Sequence, residues 1–119
     1  MARFEAQWQS PGLAAGEIRD LVSHLAQELP STATWLDANN VSLPLILQPS
    51  GLTVQVLLEF QPRGPLTILV NSREGMGYGA PQSRQVLEQL LAVMTRLLPQ
   101  AQLLYRSDRD GPIRQQALA

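Results

Sequence analysis

The stretch that decides the fold runs from residue 41 to residue 71 and reads VSLPLILQPSGLTVQVLLEFQPRGPLTILVN. It contains three runs in which apolar residues recur at every second position, and the short segments PSG and PRG separate these runs. A period of two is typical of a half-buried strand, and short connections with proline and glycine are typical of hairpins. The stretch therefore predicts an antiparallel meander of three strands.

One amphipathic helix is predicted on each side of this meander. Before it, residues 13–29 place apolar side chains at steps of three and four, and Pro30 ends the helix. After it, residues 81–98 show the same period, with Pro81 suited to the first turn. Leu91 and Leu98 widen the apolar stripe of this second helix, so that it exceeds what a sheet alone would bury. We therefore expect these two leucines to contribute to a surface for a partner.

The two ends of the chain add one strand each. Residues 3–9 (RFEAQWQ) alternate clearly, and residues 101–107 (AQLLYRS) read as a final strand. Residues 31–40 are predicted to be a loop with a short extended piece at 34–36. Pro44 lacks a backbone N–H, which places its strand at an edge of the sheet.

Together these elements predict one α+β domain over residues 1–108, with a C-terminal tail over residues 109–119. The element order is β-α-β-β-β-α-β. It predicts a mainly antiparallel five-stranded sheet with two helices packed on one face.

Composition excludes several kinds of chemistry. The 119 residues carry a net charge of -1 and no basic stripe, so we expect no binding to nucleic acid. There is no cysteine, only one histidine, and all nine basic residues are arginine, which removes thiolate metal sites and lysine chemistry. We therefore expect no catalytic residues, no metal and no cofactor. No apolar run approaches the length of a membrane span, and the N-terminus lacks the apolar region of a signal peptide. We expect no membrane association and a cytoplasmic location.

A glycine-rich loop over residues 73–80 precedes the second helix. Gly75, Gly77 and Ala80 fit the permissive form of the dinucleotide-binding fingerprint, and Asp108 follows the next strand, roughly where a ribose-binding acid would lie. However, four residues separate the preceding strand from Gly75, and Pro81 removes one donor from the start of the helix. The strand that follows the second helix is also the last one predicted, so no doubly wound sheet of the dinucleotide-binding kind can be completed. We therefore expect no dinucleotide here.

The same loop carries residues suited to recognition. Met76 and Tyr78 are apolar side chains in a segment of small and polar residues, and loops on rigid scaffolds often carry contacts. Arg73, Met76, Gly77 and Tyr78 are therefore candidate binding residues. Trp35 lies in a polar neighbourhood and joins Leu91 and Leu98 as a candidate partner surface.

The leading hypothesis is a small non-catalytic cytoplasmic protein-binding module, an adaptor, assembly factor or chaperone-like protein that forms a homodimer and binds another protein. One alternative is a small-molecule or anion-binding or enzymatic domain, in which Arg73 and Tyr78 of loop 73–80 grip an anionic ligand. Another is an immunity protein that neutralises a toxin. In its order of helix, three-strand meander, helix and strand, the chain resembles small acidic dimeric secretion chaperones, although it shares no motif with them and lacks their later elements.

Overall fold

The computed structural model describes residues 2–9, 15–61 and 65–110 of the chain. Six strands and three helices form within these ranges. In chain order they are β1 (Ala2–Gln9), α1 (Ala15–Glu28), β2 (Thr34–Asp37), β3 (Asn40–Ile46), β4 (Thr53–Phe60), β5 (Leu66–Ser72), α2 (Pro81–Leu97), β6 (Gln102–Arg106) and α3 (Ser107–Asp110).

The strands form a single sheet in the order β2-β3-β4-β5-β1-β6. Each neighbouring pair is antiparallel. The predicted α+β class and antiparallel sheet are confirmed, and the three predicted strands of the meander are β3, β4 and β5. The predicted number of five strands is wrong, because the segment expected to be mainly loop contributes β2.

The extended piece predicted at 34–36 lies within β2, but sequence patterns do not indicate its pairing into the sheet, because the strand has four residues and all of them are exposed. It is held by its pairing with β3 and by the turn that joins the two strands. The Asp37 carboxylate accepts hydrogen bonds from the backbone N–H of Asn39, at 2.8 Å, and from the side-chain amide of Asn40, at 3.0 Å. Aspartate and asparagine favour such turns because their side chains bond to nearby backbone groups.

One face of the sheet is the core face. Strand pairing aligns Leu43, Val56, Val70 and Phe4 across four adjacent strands, and each of these side chains is buried. Both long helices add to the same hydrophobic cluster. Their most deeply buried members are Val22 and Leu25 of α1 and Leu87, Leu90 and Met94 of α2. The alternation seen in the sequence therefore corresponds to a core-facing and an outward-facing set of residues.

The two long helices contact each other, and contacts with the sheet are made by α2. Helix α2 contacts β1 and β5, and α1 contacts α2. The packing of both helices on one face of the sheet stays a prediction. Within the described residues, each helix falls short of the length and apolar character that a bilayer span requires.

Pro44 does not lie in the outermost strand, since β2 continues the sheet beyond β3. The pairing between β2 and β3, however, extends only as far as Thr34 opposite Ser42. Beyond that point the Pro44 carbonyl accepts a hydrogen bond from the Ser31 hydroxyl at 2.5 Å instead. The expectation of an edge at Pro44 therefore holds only locally, and the true edge on this side is β2.

The predicted boundary between domain and tail falls inside α3, which includes the first two residues of the expected tail over 109–119. Residues 111–119 of that tail lie outside the described residues.

Candidate functional site

The loop between β5 and α2 is fixed at its base by hydroxyl groups. The side chains of Ser72, at the end of β5, and Ser83, in the first turn of α2, are both buried, and their hydroxyl oxygens lie 2.6 Å apart. The Ser72 hydroxyl also accepts a hydrogen bond from the Glu74 backbone N–H at 3.0 Å. The start of the loop is therefore tied to both the sheet and the helix.

Glu74 occupies the place where a bound anion would be expected. Its carboxylate accepts hydrogen bonds from the backbone N–H groups of Gln82, at 3.0 Å, and Ser83, at 2.7 Å. The first N–H groups of a helix lack partners within the helix and favour negative charge. Partial burial would raise the pKa of Glu74, but these hydrogen bonds outweigh it and hold the pKa below its ordinary value. The chain thus supplies its own anion to the start of α2, and the dinucleotide reading gains no support.

The tip of the loop is a tight turn over residues 76–79. The Gly79 N–H donates to the Met76 carbonyl at 2.9 Å and closes the turn. Gly79 has a φ of +78°, a conformation that favours glycine, and Ala80 follows at +47°. A Cβ at Gly77 would meet no atom within 4 Å, so the backbone needs glycine at position 79 and not at position 77.

The turn presents Met76 and Tyr78 to solvent. The Tyr78 side chain is 96% exposed, and Met76 is 48% exposed. Arg73, at the bend after β5, is also exposed and has no hydrogen-bond or ion-pair partner among the described residues. The four loop residues proposed from sequence thus lie on an exposed segment, and whether they bind a ligand or a partner stays a prediction.

The candidate partner surface of Trp35, Leu91 and Leu98 is not one continuous exposed patch. Leu91 is only 6% exposed and belongs to the core, because the stripe of α2 is buried more completely than its width suggested. Leu98 is half-buried and packs against the core. Trp35 is 38% exposed, stacks on Phe60 with ring centroids 6.5 Å apart, and has the Arg19 guanidinium 6.0 Å from its ring.

A cleft of about 620 Å³ lies beside the turn. Its walls come from the first half of β1, the loop, the start of α2, and the junction of β6 with α3. The lining includes Arg3, Glu5, Met76, Arg84, Ser107 and Asp108. Met76 and Asp108 were singled out from the sequence, whereas Arg3, Glu5, Arg84 and Ser107 were not, because they come from distant segments and belong to no recognisable motif.

Ionic hydrogen bonds build the far wall of this cleft. Asp108 receives a two-pronged interaction from Arg106, with Nε at 2.9 Å and Nη2 at 2.8 Å, and a third bond from Arg84 Nε at 3.1 Å. Arg106 Nη2 also donates to Glu88 at 2.6 Å. Burial would raise the pKa of Asp108, but these guanidinium groups hold it below its ordinary value. Asp108 therefore serves a structural pairing and is not available as a ribose-binding acid.

Within the described residues, no three histidine, aspartate or glutamate side chains gather as a metal site would require. None of the protein-family models matches the chain, and no curated protein matches it either. Function therefore has to be inferred from the side chains that the fold presents.

Proposed function

We propose that the protein is a non-catalytic cytoplasmic protein-binding module, with the character of an adaptor, assembly factor or chaperone, and that the 76–79 turn is its principal contact. The observation that carries the proposal is the nearly complete exposure of Tyr78 on a turn whose base is tied down by Glu74 and Ser72. An exposed aromatic side chain adds little to the stability of the isolated protein, but it contributes much to the free energy of binding once an interface buries it.

Two properties of the turn favour binding: the apolar area that its side chains can bury, and the order that the base of the loop already has. A tyrosine buries on the order of 150–250 Å² when it is fully covered, and tyrosine is enriched among the residues that dominate binding energy. Met76 begins the same turn and offers a second exposed, flexible apolar side chain. Because hydrogen bonds already fix the loop base, less conformational entropy is lost on binding than for an unstructured loop.

Self-association is a second part of the proposal, and β2 supports it. This outer strand exposes all four of its residues, including Trp35 and Leu36 at 38% and 62% exposure. An outer strand has unpaired backbone N–H and C=O groups, with which a strand of a second copy can pair and so extend the sheet. If both helices cover the core face, as we propose, the opposite face with half-buried Leu57 and Leu69 also remains open to a partner.

The two alternatives differ in their support. An anionic ligand gripped by Arg73 and Tyr78 would receive no help from the amides at the start of α2, because the Glu74 carboxylate already accepts their hydrogen bonds. A toxin-neutralising role would use the same exposed turn, so it differs from the leading proposal only in the identity of the partner.

A site-specific crosslinking experiment tests the proposal. A photoreactive amino acid is placed at position 78 in one variant and at position 27, which is Gln27 on the exposed side of α1, in a matched control. We expect a discrete crosslinked partner from position 78 alone, and we expect wild-type protein but not Tyr78→Ser to retain that partner. Crosslinks that are identical from the two positions, or retention by Tyr78→Ser, would contradict the proposal.

A further inference from the structure

The cleft beside the turn contains an arginine that is only partly used. Arg84 bonds to Asp108 through Nε at 3.1 Å, and its two Nη atoms have no hydrogen-bond partner among the described residues. Its side chain is 55% exposed and lines the cleft. The end of this guanidinium is therefore open to an incoming acceptor.

The orientation of Arg84 is fixed by Asp108, which is itself held in place by Arg106. Its anchor, Asp108, is 5% exposed and is itself gripped through both oxygens by Arg106, whose side chain is 13% exposed. A guanidinium held at Nε by a buried carboxylate has lost much of its rotational freedom. Its Nη atoms therefore point in a narrow range of directions, which is the preorganisation that a carboxylate-binding arginine needs.

We propose that this cleft binds a carboxylate group, which Arg84 receives end-on through its Nη atoms while Arg3 stands beside it. Arg3 also lines the cleft and has no ion-pair partner among the residues that the structure describes. The carboxylate is that of an aspartate or glutamate on the bound partner protein, and this source rests on the proposed function. Met76 lines both the cleft and the turn, so one partner segment can contact Tyr78 and reach Arg84.

One group in the cleft opposes this ligand. The Glu5 carboxylate lines the same space and accepts a hydrogen bond from the Gln7 side-chain amide at 3.2 Å. Asp108 also lines it, but its charge is compensated by Arg84 and by Arg106, which also pairs with Glu88. The proposal therefore makes a signed prediction: removal of the Glu5 charge must not weaken binding, whereas removal of the Arg84 guanidinium must.

The test uses the full chain and three probes, observed through backbone amide and arginine Nε–H signals in nuclear magnetic resonance. The probes are an acetylated and amidated Val-Glu-Val tripeptide, its Val-Gln-Val twin, and succinate. We expect the glutamate tripeptide to shift the signals of Arg3, Gly79 and Arg84 saturably, with affinity about threefold to fivefold above that of its glutamine twin, since an ion pair with a half-exposed arginine contributes up to about 1 kcal/mol.

Variants make the result specific. Arg84→Gln should reduce affinity for the glutamate tripeptide by about threefold to fivefold, while Glu5→Gln should leave it unchanged or raise it. Arg96→Gln is the matched control, because Arg96 lies on the same helix in an exposed pair with Glu28 at 2.7 Å, outside the cleft. Thermal unfolding of each variant checks that the fold is retained.

Equal binding of the two tripeptides, absence of binding, or weakening by Glu5→Gln would overturn the carboxylate site. Succinate binding as tightly as the glutamate tripeptide would overturn the assignment to a protein segment. None of these results touches the proposed function, which fails independently if positions 78 and 27 give identical crosslinks or if Tyr78→Ser retains the partner.

Discussion

At the scale of single residues, the end of the glycine-rich loop contains two neighbours with positive φ, Gly79 at +78° and Ala80 at +47°. L-residues pay for this conformation and glycine does not. The loop contains three glycines, but only one of them meets this requirement, so the three positions are not equivalent.

This difference predicts opposite outcomes for two similar substitutions. Gly79→Ala should lower the free energy of unfolding by about 1 kcal/mol, the cost of a left-handed conformation with a Cβ. Gly77→Ala should change it by less than about 0.5 kcal/mol or raise it, because open space surrounds the site and the unfolded chain loses freedom. Urea unfolding of the two variants measures this, and equal destabilisation would show that the turn is read wrongly.

Glu74 gives a second prediction at this scale, which concerns how its contribution to the free energy of unfolding changes with pH. Its pKa in the folded protein is lowered, so its contribution to stability is complete above the unfolded pKa of about 4.3 and is lost as the pH falls through the folded value. Glu74→Gln should therefore cost about 1 kcal/mol at pH 7, as the loss of a helix cap does. The gap to wild type should shrink below a pH of about 4.

The control for this prediction is Glu59→Gln, which neutralises an exposed carboxylate on β4. Denaturant midpoints at pH 7 and pH 3 give the comparison. If Glu59→Gln destabilises as much as Glu74→Gln, or if the gap for Glu74→Gln widens in acid, the capping role is wrong.

At the scale of elements, the periodic segments and the final strand could be predicted from sequence, whereas β2 could be predicted only as an extended piece at 34–36 and not as a strand of the sheet. Helix α2 was expected over residues 81–98 and forms Pro81–Leu97, because its apolar period and flanking prolines act locally. Strand β2 depends on its pairing with β3 and on the turn at Asp37. No alternation of apolar and polar residues in the sequence indicates either feature. The cleft likewise depends on tertiary pairing, since Arg84 and Asp108 meet only after β6 has joined the edge of β1.

The ion-pair network fastens the last strand to α2, and this leads to a prediction for Asp108→Asn. The substitution leaves the largely buried Arg106 and its neighbour Arg84 without their shared carboxylate. It should reduce the free energy of unfolding by about 1.5–3 kcal/mol, the range for hydrogen bonds to charged groups.

Glu28→Gln is the control for that experiment, because it breaks only the exposed pair with Arg96, whose side chain is 60% exposed. Such surface pairs contribute less than about 1 kcal/mol. Chemical denaturation and hydrogen exchange of β6 amides measure both effects. Similar small losses in the two variants would mean that the network does not hold β6 in place.

At the scale of the whole molecule, the proposal predicts a dimer that depends on β2. Light scattering coupled to size exclusion should give twice the 13.1 kDa chain mass at micromolar concentration. Leu36→Lys, which places a charge on the outer strand, should shift the equilibrium toward the monomer. A single-chain mass for wild type across a wide concentration range would end the dimer proposal, and an unaffected dimer in Leu36→Lys would move the interface away from β2.

The central claim is that Met76 and Tyr78 supply the contact with another protein. Calorimetry with the purified, unmodified partner that crosslinking identifies tests this claim most directly. The Met76→Ser, Tyr78→Ser double variant should keep the thermal stability of wild type, because both side chains are exposed. Its affinity for the partner should fall by at least about 100-fold, as expected when two central contacts of an interface are removed. Binding of the double variant with wild-type affinity would contradict the account.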